Sequence, residues 1–305
     1  MLNYDPIKTW GKLYLTTTLL KKTNTKYFNP IFVKWAGGKT QLLDQFRKHY
    51  PPNFNDYFEP FVGSGAVFFY IKQNFDPESC MISDNNLDLI NLYKTVKENV
   101  NELIEKLRQY KSEHHKDPEN YYYDQRNLFN TTNDTFEKSS LFIYLNKTCF
   151  NGLYRVNSKG EFNVPFGKYK NPSIVQEKKL LKASELLKDV IIKHMDFENI
   201  IQYAKKGDFV YFDPPYYPLN QTSSFTSYHK KGFLKPEQKR LAYVFKELDK
   251  VGCFLMESNS DTNLIHDLYE EYEEDGLLHY VKAKRMINSK ASGRGAINEV
   301  VIKNY

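Results

Sequence analysis

The sequence predicts an α/β fold, an open and mostly parallel Rossmann-like sheet with a mainly helical segment inserted into it. Three observations lead there. Near residue 57 and again after Asp196, short apolar runs alternate with segments of helical period, the arrangement that βαβ units require. A glycine-rich turn, Phe61-Val62-Gly63-Ser64-Gly65, follows the first of these runs. Between the two alternating stretches lie roughly a hundred residues, rich in Tyr, Asn and Lys, that do not alternate.

Residues 1–30 are polar and without clear period, and read as an N-terminal extension. Tyr57-Phe58-Glu59 ends a strand, and a helix runs from Ala66 to Gln73. Cys80-Met81-Ile82-Ser83 is a second short strand, after which the spacing of Leu87, Ile90, Leu92, Val96 and Val100 predicts one helix. Leu141 to Leu145 is a helical patch, and Gly152, Gly160 and Gly167 then punctuate a hairpin or loop. Asp208 to Phe212 is a buried strand, Pro236 to Leu248 a helix with proline at its start, Cys253 to Met256 a strand and Asp261 to Tyr269 a helix. Leu278 to Ala283 and Ile297 to Val301 are expected to close the sheet as an antiparallel pair. The sheet domain accordingly comprises residues 31–96 and 191–305, and the insertion residues 97–190.

Composition narrows the function classes. Of 305 residues 41% are hydrophobic, enough for a core, yet no apolar run approaches a membrane span. The stretch from Leu13 to Leu20 has no small-residue cleavage site and is not expected to be a signal peptide. Cys80, Cys149 and Cys253 are odd in number and lack CxxC spacing, which argues against disulfides and a zinc site and fits a reduced cytoplasm; no metal is expected. His114 and His115 stand in a charged stretch and are assigned to a solvated helix face. The net charge of +6 is only mildly basic, and its placement is more telling. Lys147, Arg155, Lys159, Lys168 and Lys170 interleave with Phe150, Tyr154, Phe162, Phe166 and Tyr169, as suits a groove that tracks phosphates and packs against bases. An ordinary solvated basic face accounts for the same charges equally well.

The most informative motif is Asp213-Pro214-Pro215-Tyr216, directly after the strand that ends at Phe212. Open α/β sheets bind ligands at the carboxyl ends of their strands, where this motif lies. An exocyclic amine such as adenine N6 is a poor nucleophile because its lone pair is delocalised into the ring. Two acceptors on its hydrogens favour a pyramidal nitrogen and attack. The Asp213 carboxylate is one acceptor; the other is the Pro214 carbonyl, held by two prolines that fix φ and remove backbone donors. Tyr216 offers a face on which a flipped base stacks. Taken alone, the tetrapeptide also fits a rigid turn with a capping aspartate.

Phe58 to Gly65 form the second motif. Gly63 and Gly65, behind Phe61, let a ligand approach the backbone, and Asp84 follows Gly63 by about 20 residues, the place of an acid that binds ribose hydroxyls. Phe68 stands where a GxGxxG fingerprint has its third glycine, so no pyrophosphate need be cradled and S-adenosylmethionine fits better than a nicotinamide or flavin. Gly38-Lys39-Thr40 mimics the end of a P-loop, but Val33 occupies that loop's first glycine position, which excludes a nucleoside triphosphatase. Trp35 and Lys39 either close over the cofactor or belong to a buried tryptophan beside a turn.

In combination, FVKWAGGK, FEPFVGSGAVFF, SDNN, NGLYRVNSKGEFNVPFGKYKNP and DFVYFDPPYYPL resemble the Dam-like family of adenine-N6 DNA methyltransferases that recognise GATC, from Ile31 to Tyr305. The resemblance implies a methyltransferase sheet that uses S-adenosylmethionine and acts on double-stranded DNA. It implies cofactor contacts at Trp35, Lys39, Asp84 and Asp213, with Phe61, Gly63 and Gly65 of the turn assigned to the same ligand. It implies catalytic roles for Asp213, Pro214 and Tyr216, with Pro215 completing the motif. For DNA it implies Phe150 packing into the recognition site, Asn151 and Gly152 in the same loop, Leu153 and Arg155 reading bases, and Lys34 as a further base contact; arginine suits guanine O6 and N7. Arg285-Met286-Ile287-Asn288 and Gly293-Arg294 resemble the family's loop near the target base, and residues 1–30 match nothing in it. A restriction endonuclease acting on the same site, without direct binding, is an implied companion.

Rival readings stand beside this one. Cytosine-N4 and protein-glutamine methyltransferases share the fold but more often carry Ser or Asn in place of Asp213. Cytosine-C5 chemistry needs a Pro-Cys nucleophile, and no cysteine here follows a proline. A non-catalytic nucleic-acid-binding module has no use for an intact Asp213–Tyr216 motif with Asp84. An RNA methyltransferase uses the same aromatics and basic loops.

Overall fold

A computed structural model describes residues 27–218, 233–284 and 296–305. Most of the N-terminal extension, the Arg285–Asn288 segment and Gly293-Arg294 lie outside the described residues. After a short helix, α1 (Leu43–Phe46), the chain forms β1 (Tyr57–Glu59) and turns through its glycines into α2 (Ala66–Asn74). Ala66 to Ile71 are all buried, as a helix apolar on every side must be. β2 (Cys80–Asp84) runs parallel to β1 with Ile82 opposite Glu59.

The helix expected from Leu87 to Val100 is two helices. Asn99, at φ −131° and ψ 36°, leaves the helical region between α3 (Leu87–Glu98) and α4 (Val100–His114). The N-cap of α3 is Asn86, which accepts from Leu89 N–H at 2.9 Å; Leu87 lies in the first turn and is 50% exposed, while Leu89, Ile90, Leu92, Tyr93 and Val96 form the buried face. α4 corrects the reading of His114. Leu103, Leu107, Tyr110 and His114 recur at helical spacing and share one buried stripe, and His114 Nδ1 lies 3.0 Å from the Tyr144 hydroxyl. His115 alone is exposed.

α5 (Pro118–Thr131) and α6 (Thr135–Thr148) are capped by Asp117 and Asp134, and α6 is buried from Ser139 to Thr148. The glycine-punctuated segment that follows is a loose antiparallel hairpin held by isolated bridges, Cys149 with Phe166 and Val156 with Phe162, around a turn from Asn157 to Gly160. α7 (Glu177–Leu187) then leads into β3 (Val190–His194). The last part comprises β4 (Phe209–Phe212), α8 (Lys235–Val251) with Pro236 in its first turn, β5 (Phe254–Ser260), α9 (Asn263–Leu268), α10 (Glu270–Glu274), β6 (Leu278–Lys284) and β7 (Ala296–Lys303). The strand expected at Cys253 to Met256 thus begins a residue later and runs on to Ser260. The helix expected at Asp261 to Tyr269 is shorter, because Tyr269, at φ −120° and ψ 23°, separates α9 from α10.

The strands lie in the order β3-β2-β1-β4-β5-β7-β6. β3 to β5 are parallel, and β7 runs antiparallel between β5 and β6, the closing pair. Along β4 the residues alternate between two cores: Phe209 and Tyr211 face the one that contains α2 and α3, Val210 and Phe212 the one that contains α8. From β1 the chain passes through α2 to β2 on one side, and from β4 through α8 to β5 on the other. The winding reverses between β1 and β4, whose carboxyl ends flank the switch point where such sheets bind ligands. Among the described residues no helix is long and apolar enough to cross a membrane.

Candidate active site

β4 delivers Asp213 to the switch point. Its Oδ1 lies 2.6 Å from Lys39 Nζ, in an ion pair whose lysine is only 4% exposed, and accepts from Ser258 Oγ at 3.2 Å. Ser258, on the adjacent β5, also meets the Tyr211 hydroxyl at 2.7 Å. Lys39 Nζ donates to the Gly37 carbonyl at 2.6 Å and sits 4.6 Å from the centre of the Tyr216 ring. The residue that mimics a P-loop lysine therefore reaches the aspartate of the other motif. Burial pushes the Asp213 carboxyl above its ordinary range, and Lys39 opposes that shift. The Tyr216 hydroxyl donates to Glu299 Oε2 of β7 at 2.7 Å. Pro215 offers its carbonyl to Gln238 Nε2 at 3.1 Å, whereas no hydrogen bond among the described residues reaches the Pro214 carbonyl.

The glycine turn stands beside this motif. A Cβ on Gly63, at φ +48°, would sit 2.8 Å from Trp35 Cδ1, so only glycine lets the tryptophan lie on the turn. Gly65 is the left-handed N-cap of α2. Asp84 ends β2; its Oδ2 accepts from Gly63 N–H at 3.2 Å and its Oδ1 from Asn86 N–H at 3.0 Å. One carboxylate thus ties the turn to the start of α3, while the capping itself falls to Asn86. Phe61 stacks on Phe197 with centroids 5.2 Å apart, and Phe197 follows β3 as Asp84 ends β2. Trp35 stacks on Tyr154 at 5.5 Å, which links the turn to the hairpin.

Near the end of α6, just before the hairpin, Asn146 joins what the sequence keeps apart. Its Oδ1 accepts from Lys34 N–H at 2.8 Å, and its Nδ2 donates to the carbonyls of Lys34 at 2.9 Å and Gly152 at 3.0 Å. A Cβ on Gly152, at φ +65°, would collide with the Lys34 side chain. Lys34, Phe150, Asn151, Gly152 and Leu153 are so brought together; Phe150 is 51% exposed and Asn151 adopts φ 57°. Arg155 is exposed but held: Nε donates to Asn163 Oδ1 at 2.8 Å and Nη2 to the Asn163 carbonyl at 3.2 Å. The interleaved aromatics do not act as one set. Tyr154 and Phe162 belong to the core, packed by Phe142 and Phe129. Lys147 is no surface charge either: it is 8% exposed, and burial, then Lys179 and Lys34, push it down to about 7.

Ser258, Glu299, Asn146, Phe197 and Gln238 are site residues that the sequence reading misses. The signal for Ser258 was present: Glu257-Ser258-Asn259-Ser260 is a polar run directly after an apolar strand, and all four are buried. Glu257 accepts from the Tyr269 hydroxyl at 2.5 Å and from Asn259 Nδ2 at 2.9 Å, and burial pushes it up to about 7. A carboxyl raised in the folded state stabilises the fold fully below the ordinary carboxyl range, and that stabilisation is lost as pH rises to about 7. The shift amounts to on the order of 3 kcal/mol. Glu257→Gln is therefore expected to flatten the fall in stability across this window; urea midpoints of both proteins from pH 4.5 to pH 7 check it, and parallel curves contradict it.

Over residues 35–287 the chain matches the family model described as D12 class N6 adenine-specific DNA methyltransferase. It is 47% identical over 288 residues to a type II methyltransferase of Methanocaldococcus jannaschii, covering 90% of this chain and 98% of that one. A type II methyltransferase of Lactococcus lactis subsp. cremoris is 43% identical over 280 residues, covering 90% and 95%. The DNA adenine methylase of Escherichia coli is 37% identical over 273 residues, covering 90% and 94%.

Proposed function

Because the chain belongs to the D12 class of N6 adenine-specific DNA methyltransferases, we propose that it methylates adenine within GATC of double-stranded DNA, using S-adenosylmethionine and flipping the target base into the pocket of Asp213 to Tyr216. The observation that supports this most is the meeting of two motifs at one switch point: the glycine turn leaves β1 and the Asp213 motif leaves the adjacent β4.

S-adenosylmethionine, when bound, supplies an electrophilic methyl group. Asp84, Phe61, Gly63, Gly65, Trp35, Lys39 and Asp213 are the residues we assign to it. The donor set fits: a carboxylate at a strand end for ribose hydroxyls, a half-buried aromatic ring at Phe61, backed by Phe197, for an adenine ring, and glycines for close approach. Asp213 holds Lys39 through Oδ1, which leaves Oδ2 to accept from the amine. The Pro214 carbonyl accepts a hydrogen bond from the second amine N–H, Pro215 fixes the turn, and Tyr216, tethered to Glu299, stacks on the base. Positioning and these two acceptors supply most of the acceleration.

We assign residues 97–190 to target recognition, with Phe150 packing into the duplex on the Asn151-Gly152 turn and Lys34, Leu153 and Arg155 reading bases. Asn163 grips Arg155 by its Nε and Nη2, which leaves the Nη1 end for a guanine. Arg155→Ala is expected to cost about 1–3 kcal/mol on GATC and to relax preference at one guanine. Lys168→Ala, at a phosphate, should weaken binding to every sequence alike and lower the salt slope by about one. Binding to GATC and its four single-position transitions at two salt concentrations separates the two; intact discrimination in the Arg155 variant refutes its assignment. We place the enzyme in the cytoplasm, together with an endonuclease of the same site that it does not bind. Sequencing of plasmid DNA from cells expressing the protein, with detection of modified adenines, tests the function: methylation outside GATC redirects the specificity, and unmodified adenine removes the proposal.

A further inference from the structure

The Asp213 motif is gripped from behind by a chain of buried amides. Ser260 N–H donates to Asn259 Oδ1 at 2.9 Å, and a main-chain N–H can only donate. The Asn259 nitrogen is therefore turned to Gln238 Oε1, at 3.0 Å, and to Glu257 Oε1. With its oxygen occupied as acceptor, Gln238 presents Nε2 to the Pro215 carbonyl. Each amide thus has one orientation. Gln238 is 1% exposed and Asn259 fully buried. On the far side of Tyr216, Ser260 Oγ donates to the Tyr217 carbonyl at 2.8 Å.

The consequence is torsional. The ring of Pro215 fixes its φ, so ψ of Pro215 is the one soft torsion between the Pro214 carbonyl and Tyr216. Gln238 holds the carbonyl that this torsion moves. We propose that Gln238 is a positioning residue for methyl transfer: through the Asn259–Gln238 chain it locks the Pro215 carbonyl and thereby sets the Pro214 carbonyl and the Tyr216 ring against the target base. This rests on the reading of the Pro214 carbonyl and Tyr216 given above. Gln238 touches no reacting atom; it acts through the main chain of the motif.

The test compares Gln238→Leu and Gln238→Glu with wild type in single-turnover methylation of a GATC duplex, with KM for DNA and for S-adenosylmethionine measured beside the rate. Gln238→Leu fills the same space without a donor. Its rate is expected to fall by about 10- to 100-fold, the scale of a small misplacement, with both KM values near those of wild type. Gln238→Glu is diagnostic in a second way. Ionised, its carboxylate faces the Pro215 carbonyl with no proton to give; protonated, its O–H restores the donor. Its rate relative to wild type should rise as pH falls; Glu257 shares the Asn259 Nδ2 donor with position 238 and couples to the new carboxylate, so the ratio is taken in a Glu257→Gln background for both proteins. If Gln238→Leu fails to fold, the pH dependence of that ratio decides alone. A leucine variant with the wild-type rate, or a flat ratio for the glutamate variant, overturns the inference. Wild type that does not methylate adenine overturns the functional reading, and this inference with it; methylation by wild type with no effect at Gln238 overturns the inference alone.

Discussion

Replacing Asp213 by alanine is expected to abolish methyl transfer while DNA binding stays largely intact. The carboxylate stands at the end of β4, where its partners are Lys39 and Ser258. Loss of one positioned acceptor costs about 100- to 1,000-fold in the rate of a reaction that depends on such groups. Here the loss is compounded, because the alanine also leaves the buried ammonium of Lys39, among the described residues, with no ion-paired counter-charge, only the Gly37 carbonyl and the Tyr216 ring beside it. An unpaired buried charge is unfavourable by several kcal/mol, so Lys39 is expected to leave its place over the Tyr216 ring. Asp213→Asn keeps one acceptor and loses the charge, and should retain a trace of activity above alanine. Single-turnover rates and gel-shift affinities on one duplex test this. Turnover near the wild-type rate refutes the catalytic assignment, and loss of DNA binding moves Asp213 from chemistry to architecture.

Asp84→Ala should weaken S-adenosylmethionine binding. Hydrogen bonds to a charged group contribute about 1.5–3 kcal/mol, or roughly 10- to 150-fold in affinity. Two such bonds, to Gly63 N–H and Asn86 N–H, shape the turn, and we assign the ribose hydroxyls to the same carboxylate. Asparagine is a poor substitute, because its amide nitrogen must face one of those two N–H donors. The helix should survive, since Asn86 caps α3. Titration calorimetry gives the affinity and circular dichroism the helix; unchanged affinity would confine Asp84 to holding the turn.

Much of the frame was legible in the sequence because it rests on local patterns. The glycine turn, the spacing to Asp84 and the strand before Asp213 are contiguous signals, and so is the closing pair of strands. What escaped was decided by long-range packing. β3 carries an exposed Ile191 at the sheet edge and shows no clean alternation. Glu257 to Ser260 read as a strand's end, yet their polar groups are satisfied by Gln238 on α8, by Tyr269 between α9 and α10, by a loop carbonyl at Tyr217 and by Tyr211 on β4, and the strand continues through them. His114 was legible in principle: it continues the period of Leu103, Leu107 and Tyr110, but the charged neighbours outweighed it. The ion pair of Lys39 with Asp213, and the grip of Asn146 on Lys34, join residues far apart in the chain, and no local signal announces either.

That grip bears on how such a protein changes over generations. Asn146 holds residue 34 by its peptide N–H and carbonyl, never by the lysine. If residue 34 reads a base, as proposed above, a single codon change there would alter what is presented to the DNA while the mount stays put, so preference would be free to drift in one step. Position 152 offers no such freedom: its backbone is left-handed at φ +65°, which disfavours any side chain, and a Cβ there would crowd the Asn146 carbonyl at 3.1 Å. One half of the contact is an exchangeable tool, the other its fixed socket, and lineages that diverge in target should differ at the first and agree at the second.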